Sequence, residues 1–195
     1  VFNGEIFNAT ELRNDLLKEN VSFVSSNSDT EVILKLYAKY GTEMLKLLNG
    51  MFAFAIYDKK KNFIFMGRDR AGIKPLYYYN KNEHFIFASE IKSLIKIPFV
   101  SNNIDIQSVK NYLTFQFVPA PNTIYADIKK LNPSNYLIYN LNDNSINIEN
   151  YWQPTFRRNI RINNRDDLIK SLRVQIEESV EKWSTSDVPI GVSLS

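Results

Sequence analysis

Apolar residues recur at intervals of three and four in several segments of the chain, which is typical of amphipathic helices. Two of these segments begin with capping patterns, Asn8 with Glu11 and Ser28 with Glu31, in which a side-chain oxygen accepts an unpaired backbone N–H. The second ends at Gly41, a residue suited to stopping a helix. The predicted helices cover residues 9–19, 29–40, 44–48, a segment beginning near 90, 106–115 and 166–183.

Short apolar runs separated by polar turns replace the helical pattern from Met51 onward. Such runs predict β-hairpins, the first closed by Lys59-Lys60-Lys61, which we interpret as a solvated turn without further function. Because the runs are almost continuously apolar, both faces of the sheet are expected to be covered. The predicted strands are 52–57, 63–66, 76–79, 84–88, 136–139, 146–148 and a buried strand at 188–194.

The 195 residues suffice for one domain and part of a second. The stretch 152–163 contains a proline and no clear period, so it is predicted to link a first domain over 1–151 to the start of a second over 164–195. Both ends of the chain look cut, because Val1 begins as though a strand had started upstream and the last residues stop within a pattern.

Charge and cysteine content narrow the function classes. The net charge of +3 comes from 24 basic and 21 acidic residues that are interspersed along the chain, so no nucleic-acid partner is predicted. The chain has no cysteine and one histidine, His84, which excludes thiolate metal sites and multi-histidine metal sites from these residues. No apolar stretch reaches the roughly 20 residues of a membrane span, and no signal peptide is evident, so a cytoplasmic protein is expected.

Several ordered motifs within residues 3–92 carry a resemblance to a known family. Their order and spacing resemble the glutaminase domain of the asparagine synthetases, which are class II glutamine amidotransferases of the N-terminal-nucleophile hydrolase type. Residues 186–195 also look like the lead-in to the SGGxDS pyrophosphate loop of the synthetase domain. The first group comprises Asn3-Gly4-Glu5-Ile6-Phe7-Asn8 and residues 28–31, 48–54, 67–70, 72–78 and 87–92.

The resemblance implies an α+β fold, a four-layer αββα sandwich of two antiparallel sheets between helices. This would be followed by the first helix and strand of an α/β adenine-nucleotide-binding domain. An intact enzyme of this type is a carbon–nitrogen ligase that hydrolyses glutamine and passes the ammonia internally to a second site. There, ATP with Mg²⁺ activates aspartate as β-aspartyl-AMP, and the products are asparagine, AMP and pyrophosphate.

The same resemblance implies roles for four residues of the glutamine site. The Asn3 side-chain amide and the Gly4 N–H would hold the oxyanion, Glu5 would line the pocket, and Asp29 would bind the α-amino group of glutamine. Taken alone, an Asn-Gly pair is more often a turn, and an acid at the start of a helix favours the helix dipole. The ordered motifs around them favour the functional interpretation.

At the other end of the chain, Ser193 would lie where the family's backbone meets the adenine nucleotide, and Ser195 would be the first serine of the pyrophosphate loop. The family's N-terminal cysteine, the arginine that binds the glutamine α-carboxylate and the rest of this loop are absent from the sequence. We therefore expect the isolated chain to hydrolyse no glutamine and to bind no nucleotide.

Two alternatives stay open. The acceptor could differ, because related amidotransferases act on cell-surface precursors, on peptides or in β-lactam synthesis. The domain could instead be a non-catalytic scaffold of glutaminase type.

Arg68 and Asp69 are interpreted as a structural ion pair or loop anchor, and Tyr77-Tyr78-Tyr79 as a core strand rather than a platform for bases. Oligomeric state, a homodimer included, is left open.

Overall fold

The computed structural model describes residues 1–156, 164–184 and 189–193. The chain divides into two compact units, Val1–Gln153 and Pro154–Ser195. The elements of the first unit are β1 (Phe2–Ile6), α1 (Ala9–Lys18), α2 (Asp29–Tyr40), a 3-10 helix (Gly41–Lys46), β2 (Gly50–Asp58), β3 (Phe63–Arg68), β4 (Tyr77–Lys81), β5 (His84–Ala88), α3 (Ile91–Leu94), α4 (Ile106–Phe115), β6 (Ile128–Lys130), β7 (Asn135–Asn140) and β8 (Ile146–Asn150).

Two antiparallel sheets form the centre of the first unit, with strand orders β1-β2-β3-β7-β8 and β5-β4-β6. Alternation along β2 explains the continuous apolar run that the sequence shows. Phe52 and Phe54 pack with α1 and α2 in one core cluster, whereas Ala53 and Ala55 belong to a second cluster between the sheets. A third cluster joins the smaller sheet to α3 through Leu94. The predicted α+β sandwich of helices and two sheets is therefore confirmed.

The start of α2 follows the predicted capping pattern in part. The Ser28 side chain accepts the Glu31 N–H at 3.4 Å. Glu31 does not close the box, because its carboxylate accepts the backbone N–H groups of Val24 and Ser25, each at 2.8 Å. A hydrogen bond from the Ser25 hydroxyl, together with these two N–H groups, lowers the pKa of Glu31 to about 2. The carboxylate thereby ties the preceding loop to the helix.

The predicted side-chain cap of α1 is wrong. Asn8 occupies the cap position but makes no capping hydrogen bond. Its Oδ1 accepts the Asn49 N–H and its Nδ2 donates to the Leu47 carbonyl, both at 3.0 Å. Asn8 is therefore used in a long-range contact, which joins the end of β1 to the turn before β2.

The other differences concern short elements. The helix predicted at 44–48 is the 3-10 helix Gly41–Lys46, and the helix expected near residue 90 is the four-residue α3. The strand β6 has three residues and was not predicted. The remaining predicted helices and hairpins of this unit are confirmed to within a few residues.

The loop after β3 is organised by two adjacent buried charges, as the loop-anchor interpretation predicts. Arg68 donates to the carbonyls of Gly72, Lys74 and Leu131 at 2.5–2.8 Å. The Asp69 side chain is fully buried. It accepts four backbone N–H groups at 2.9–3.2 Å, from Phe52, Ala71, Ile73 and Lys74.

The second unit contains α5 (Arg165–Trp183), close to the helix predicted at 166–183. Asn164 caps it, since its Oδ1 accepts the Asp166 N–H at 2.9 Å. The predicted buried strand at 188–194 is wrong for residues 189–193, which are irregular and exposed; residues 188 and 194 lie outside the described residues. A strand needs a neighbouring strand to pair its backbone groups, and the described residues offer 189–193 none.

Most of the predicted linker, residues 157–163, also lies outside the described residues. The assignment of residues 164–195 to a second domain stays a prediction. None of the α-helices in the described ranges combines the length and the apolarity that a membrane crossing requires.

Candidate active site

The pairing of β1 with β2 determines which way each backbone N–H of β1 points. Val1 and Ala55 exchange two hydrogen bonds, at 2.9 and 3.0 Å, so they form a hydrogen-bonded pair of the antiparallel ladder. Every second residue of β1 after Val1 then bonds to β2, which agrees with the 2.8 Å bond from the Phe7 N–H to the Asn49 carbonyl.

The residues between these pairs direct their N–H groups away from β2. Gly4 lies opposite Phe52 in a non-hydrogen-bonded pair, and Phe52 instead uses its carbonyl to accept the Asp69 N–H at 2.9 Å. In the described part of the sheet β1 is an edge strand. The Gly4 and Ile6 N–H groups therefore point outward along the same edge, about 7 Å apart at the rise of a β-strand.

Asp29 meets this outer edge of β1. It is the first residue of α2, and its Oδ2 accepts the Ile6 N–H at 3.4 Å. The carboxylate is half-buried and also receives the Thr30 hydroxyl at 3.5 Å. The fold thus brings Asp29 to the strand that carries Gly4, although Ile6 and Asp29 are 23 positions apart in the sequence.

The Asn3 side chain lies on the face of β1 that is directed between the two sheets. Its partner in the register is Ala53, a member of the inter-sheet cluster. Asn3 lines a cavity of about 290 Å³ together with Leu76, Phe87 and Ser89. Its Nδ2 donates to the Ser89 Oγ at 3.2 Å. Ser89 lies within the motif at residues 87–92, but no role was predicted for it from the sequence.

Glu5 is half-buried and lies on the same face of β1 as Asn3, since strand residues alternate. Its register partner is Met51. Asn3, Gly4 and Glu5 therefore follow one another on β1, and Asp29 reaches the same strand from α2, at Ile6.

Gly4 is required by the close approach of β2. It has a φ of +152°, and a Cβ built there would lie 2.1 Å from the Met51 carbonyl oxygen. We expect Gly4→Ala to lower the free energy of unfolding by about 2–3 kcal/mol, because backbone atoms must move apart. Urea unfolding of the purified chain measures this.

The matched control for Gly4→Ala is Gly41→Ala. Gly41 has a φ of +57° and open space around the added carbon. Gly41→Ala should lower the free energy of unfolding by only about 1 kcal/mol, the cost of placing an alanine in the left-handed conformation. Equal losses for the two variants would show that the clash with Met51 is absent.

The nucleotide residues predicted at the end of the chain, Ser193 and Ser195, stay a prediction. Ser193 is exposed on the irregular segment 189–193, and Ser195 lies outside the described residues. Within residues 1–156, 164–184 and 189–193, no three side chains of the metal-binding types come close enough to share an ion.

Sequence comparison decides the family. The family profile described as "Glutamine amidotransferase domain" matches residues 1–152. The chain belongs to this glutamine amidotransferase family. The amidotransferase profile thus covers every site residue of the first unit, Ser89 included.

Relatives of this amidotransferase chain are found among longer proteins. It is 39% identical, over its whole length, to "Putative asparagine synthetase [glutamine-hydrolyzing] 2" of Methanocaldococcus jannaschii, and spans 37% of that protein. It is 40% identical, again over its whole length, to "Asparagine synthetase [glutamine-hydrolyzing] 1" of Bacillus subtilis, and spans 30% of it. The chain therefore covers about a third of these relatives.

Among solved structures, the amidotransferase chain is similar to glutamine phosphoribosylpyrophosphate amidotransferase from B. subtilis, solved with ADP and GMP. The TM-score is 0.53 at 23% identity, covering 80% of this chain and 30% of that one. At this identity the likeness concerns the fold alone, and it agrees with the sandwich of two antiparallel sheets.

Proposed function

We propose that the chain is the glutaminase part of a glutamine-dependent asparagine synthetase. The observation that carries this proposal is the outer edge of β1, where the Gly4 N–H points outward beside the Asn3 carboxamide and Asp29 binds the backbone two residues further on. The relatives named above, which are glutamine-hydrolysing asparagine synthetases, support the same function.

Cleaving a primary carboxamide places negative charge on its oxygen when a nucleophile attacks. The Gly4 N–H and one N–H of the Asn3 side chain are adjacent donors that stabilise this oxyanion. The chain contains no cysteine, so the nucleophile of the proposed reaction is the N-terminal cysteine that this family carries, outside these residues. Its own α-amino group acts as the base.

The spacing along β1 suits glutamine. An extended glutamine spans about 6 Å from its carboxamide oxygen to its α-amino nitrogen at normal bond lengths. The outward N–H groups of Gly4 and Ile6 are separated by about 7 Å. Asp29, held at Ile6, is thus placed to bind the α-ammonium group through a charge-assisted hydrogen bond. In this arrangement Glu5 lines the pocket between the two ends.

The remaining parts of the activity are assigned to the full-length protein. It would use the released ammonia, aspartate and ATP with Mg²⁺ to form asparagine in the cytoplasm. Ser193 and Ser195 are assigned to the nucleotide site of that full-length protein; Ser193 is exposed on an irregular segment. The proposal therefore rests on the glutaminase site and on the identity to the synthetases.

The test uses the full-length gene product, supplied with aspartate and ATP and with either glutamine or ammonia. We expect asparagine from both nitrogen donors, and no glutamate release by the isolated 195-residue chain. Glutaminase activity without asparagine would move the acceptor to another substrate. Loss of both activities in the full-length protein would favour the scaffold alternative.

A further inference from the structure

One hydrogen bond joins the proposed oxyanion donor to the second sheet. Asn3 lies on β1 of the larger sheet, and Ser89 directly follows β5 of the smaller one. The bond from Asn3 Nδ2 to Ser89 Oγ is 3.2 Å long and links residues 86 positions apart. Both side chains line the 290 Å³ cavity.

We propose that Ser89 is a positioning residue for the Asn3 carboxamide, an inference that rests on the proposed function. The Asn3 side chain is exposed, and the χ2 angle of an asparagine has a broad distribution. Without a partner, the Asn3 amide group would therefore rotate about χ2. Nδ2 carries two N–H groups. One is directed to Ser89, and the amide plane fixed in this way leaves the second for the oxyanion.

This arrangement matters because an oxyanion site works through donors that are already aligned before charge develops. A serine hydroxyl can accept a hydrogen bond from Nδ2 or donate one to Oδ1. Ser89 therefore fixes the plane of the Asn3 amide group, but it does not decide whether Nδ2 or Oδ1 faces Ser89. The approaching oxyanion then favours the orientation in which Nδ2 faces it. Ser89 thus acts on the reaction only through Asn3.

The experiment measures glutamine hydrolysis by the full-length gene product. We expect Ser89→Ala to lower kcat about 3- to 10-fold, the effect of one ordinary hydrogen bond, with KM for glutamine changed less than about 2-fold. Ser89→Thr keeps the hydroxyl, and the cavity has room for its methyl group, so it should restore most of kcat.

Ser93→Ala is the matched control. Ser93 lies on α3, four residues beyond Ser89, and is exposed. The kcat of the Ser93→Ala variant should therefore equal that of the wild type. Asparagine formation from ammonia should be the same for all of these variants. A kcat for Ser89→Ala equal to the wild-type value would overturn the proposal.

A double-mutant cycle separates positioning from a general structural role. In an Asn3→Ala background, Ser89→Ala should cause no further loss of kcat, because its target is gone. A further loss of about 3- to 10-fold, as large as that of the single variant, would contradict the positioning role. If the wild-type protein has no glutaminase activity, the proposed function fails and the role of Ser89 fails with it. If the wild type is active and Asn3→Ala keeps all of that activity, the roles of Asn3 and Ser89 fail but the proposed function stands.

Discussion

Asn3→Ala in the full-length gene product should lower kcat for glutamine hydrolysis by about 10²- to 10³-fold, the loss measured when a single oxyanion donor is removed from a protease. The physical reason is that one of two adjacent donors to the developing charge disappears. Asparagine formation from ammonia should be unchanged, because it does not use this site. Glutamate release and asparagine formation, measured side by side, give both numbers.

Two further variants sharpen this prediction. Asn3→Asp keeps the shape of the side chain but faces the oxyanion with a carboxylate, so its loss should be at least as large. Asn80→Ala changes an exposed asparagine on β4 and should leave kcat at the wild-type value. An Asn3→Ala enzyme within a factor of about 3 of the wild type would remove Asn3 from the oxyanion site.

The largest effect on stability is expected for Asp69→Ala. This variant leaves four backbone N–H groups without their acceptor, in a region where the aspartate itself is fully buried. The bond from Phe52 is buried and the other three are partly buried. Each unsatisfied buried group costs about 1–3 kcal/mol and a partly hydrated one less, so we expect a loss of about 4 kcal/mol in the free energy of unfolding. That is a large part of the total stability of an ordinary domain, about 5–15 kcal/mol.

Urea unfolding of the purified chain tests this, with Trp152 as the reporter. Its ring lies 5.5 Å from the Arg70 guanidinium carbon, next to the loop, and a Trp183→Phe background leaves it as the only tryptophan. Asp143→Ala is the control, because Asp143 is an exposed turn aspartate that accepts one backbone N–H, from Ser145 at 3.0 Å.

The two aspartate variants should differ clearly. Asp143→Ala should lose less than about 1 kcal/mol. Asp69→Asn should fall between Asp69→Ala and the wild type, because its amide group would face two of the four donors. A loss for Asp69→Ala no larger than that for Asp143→Ala would show that the loop does not depend on this carboxylate.

Sequence reasoning succeeded where local chemistry decides the structure. The helix α4 was predicted with its observed ends, and Ser28 does cap α2. It failed where a distant partner takes over a local group. Asn8 has the residue type of a cap, yet the turn at Leu47 and Asn49 uses both ends of its amide.

The candidate site was predicted in its residues but not in its geometry. The motif pointed to Asn3 and Gly4, whereas the outward direction of the Gly4 N–H follows from the register with β2. The contact between Asn3 and Ser89 joins residues 86 positions apart and depends on the packing of the two sheets. No local sequence pattern indicates such a contact. At residues 188–194 the local pattern predicted a strand that residues 189–193 do not form. An apolar run alone does not supply a strand to pair with.

The register of β1 has a consequence for how this protein can change. An insertion or deletion that makes β1 slip by one residue against β2 would turn the Gly4 N–H toward β2 and move the Asn3 side chain to the helix-covered face. Every residue named in the site would still be present in the sequence. We therefore expect changes of length to be tolerated in the exposed hairpin turns, such as 59–61, and to be excluded from this strand.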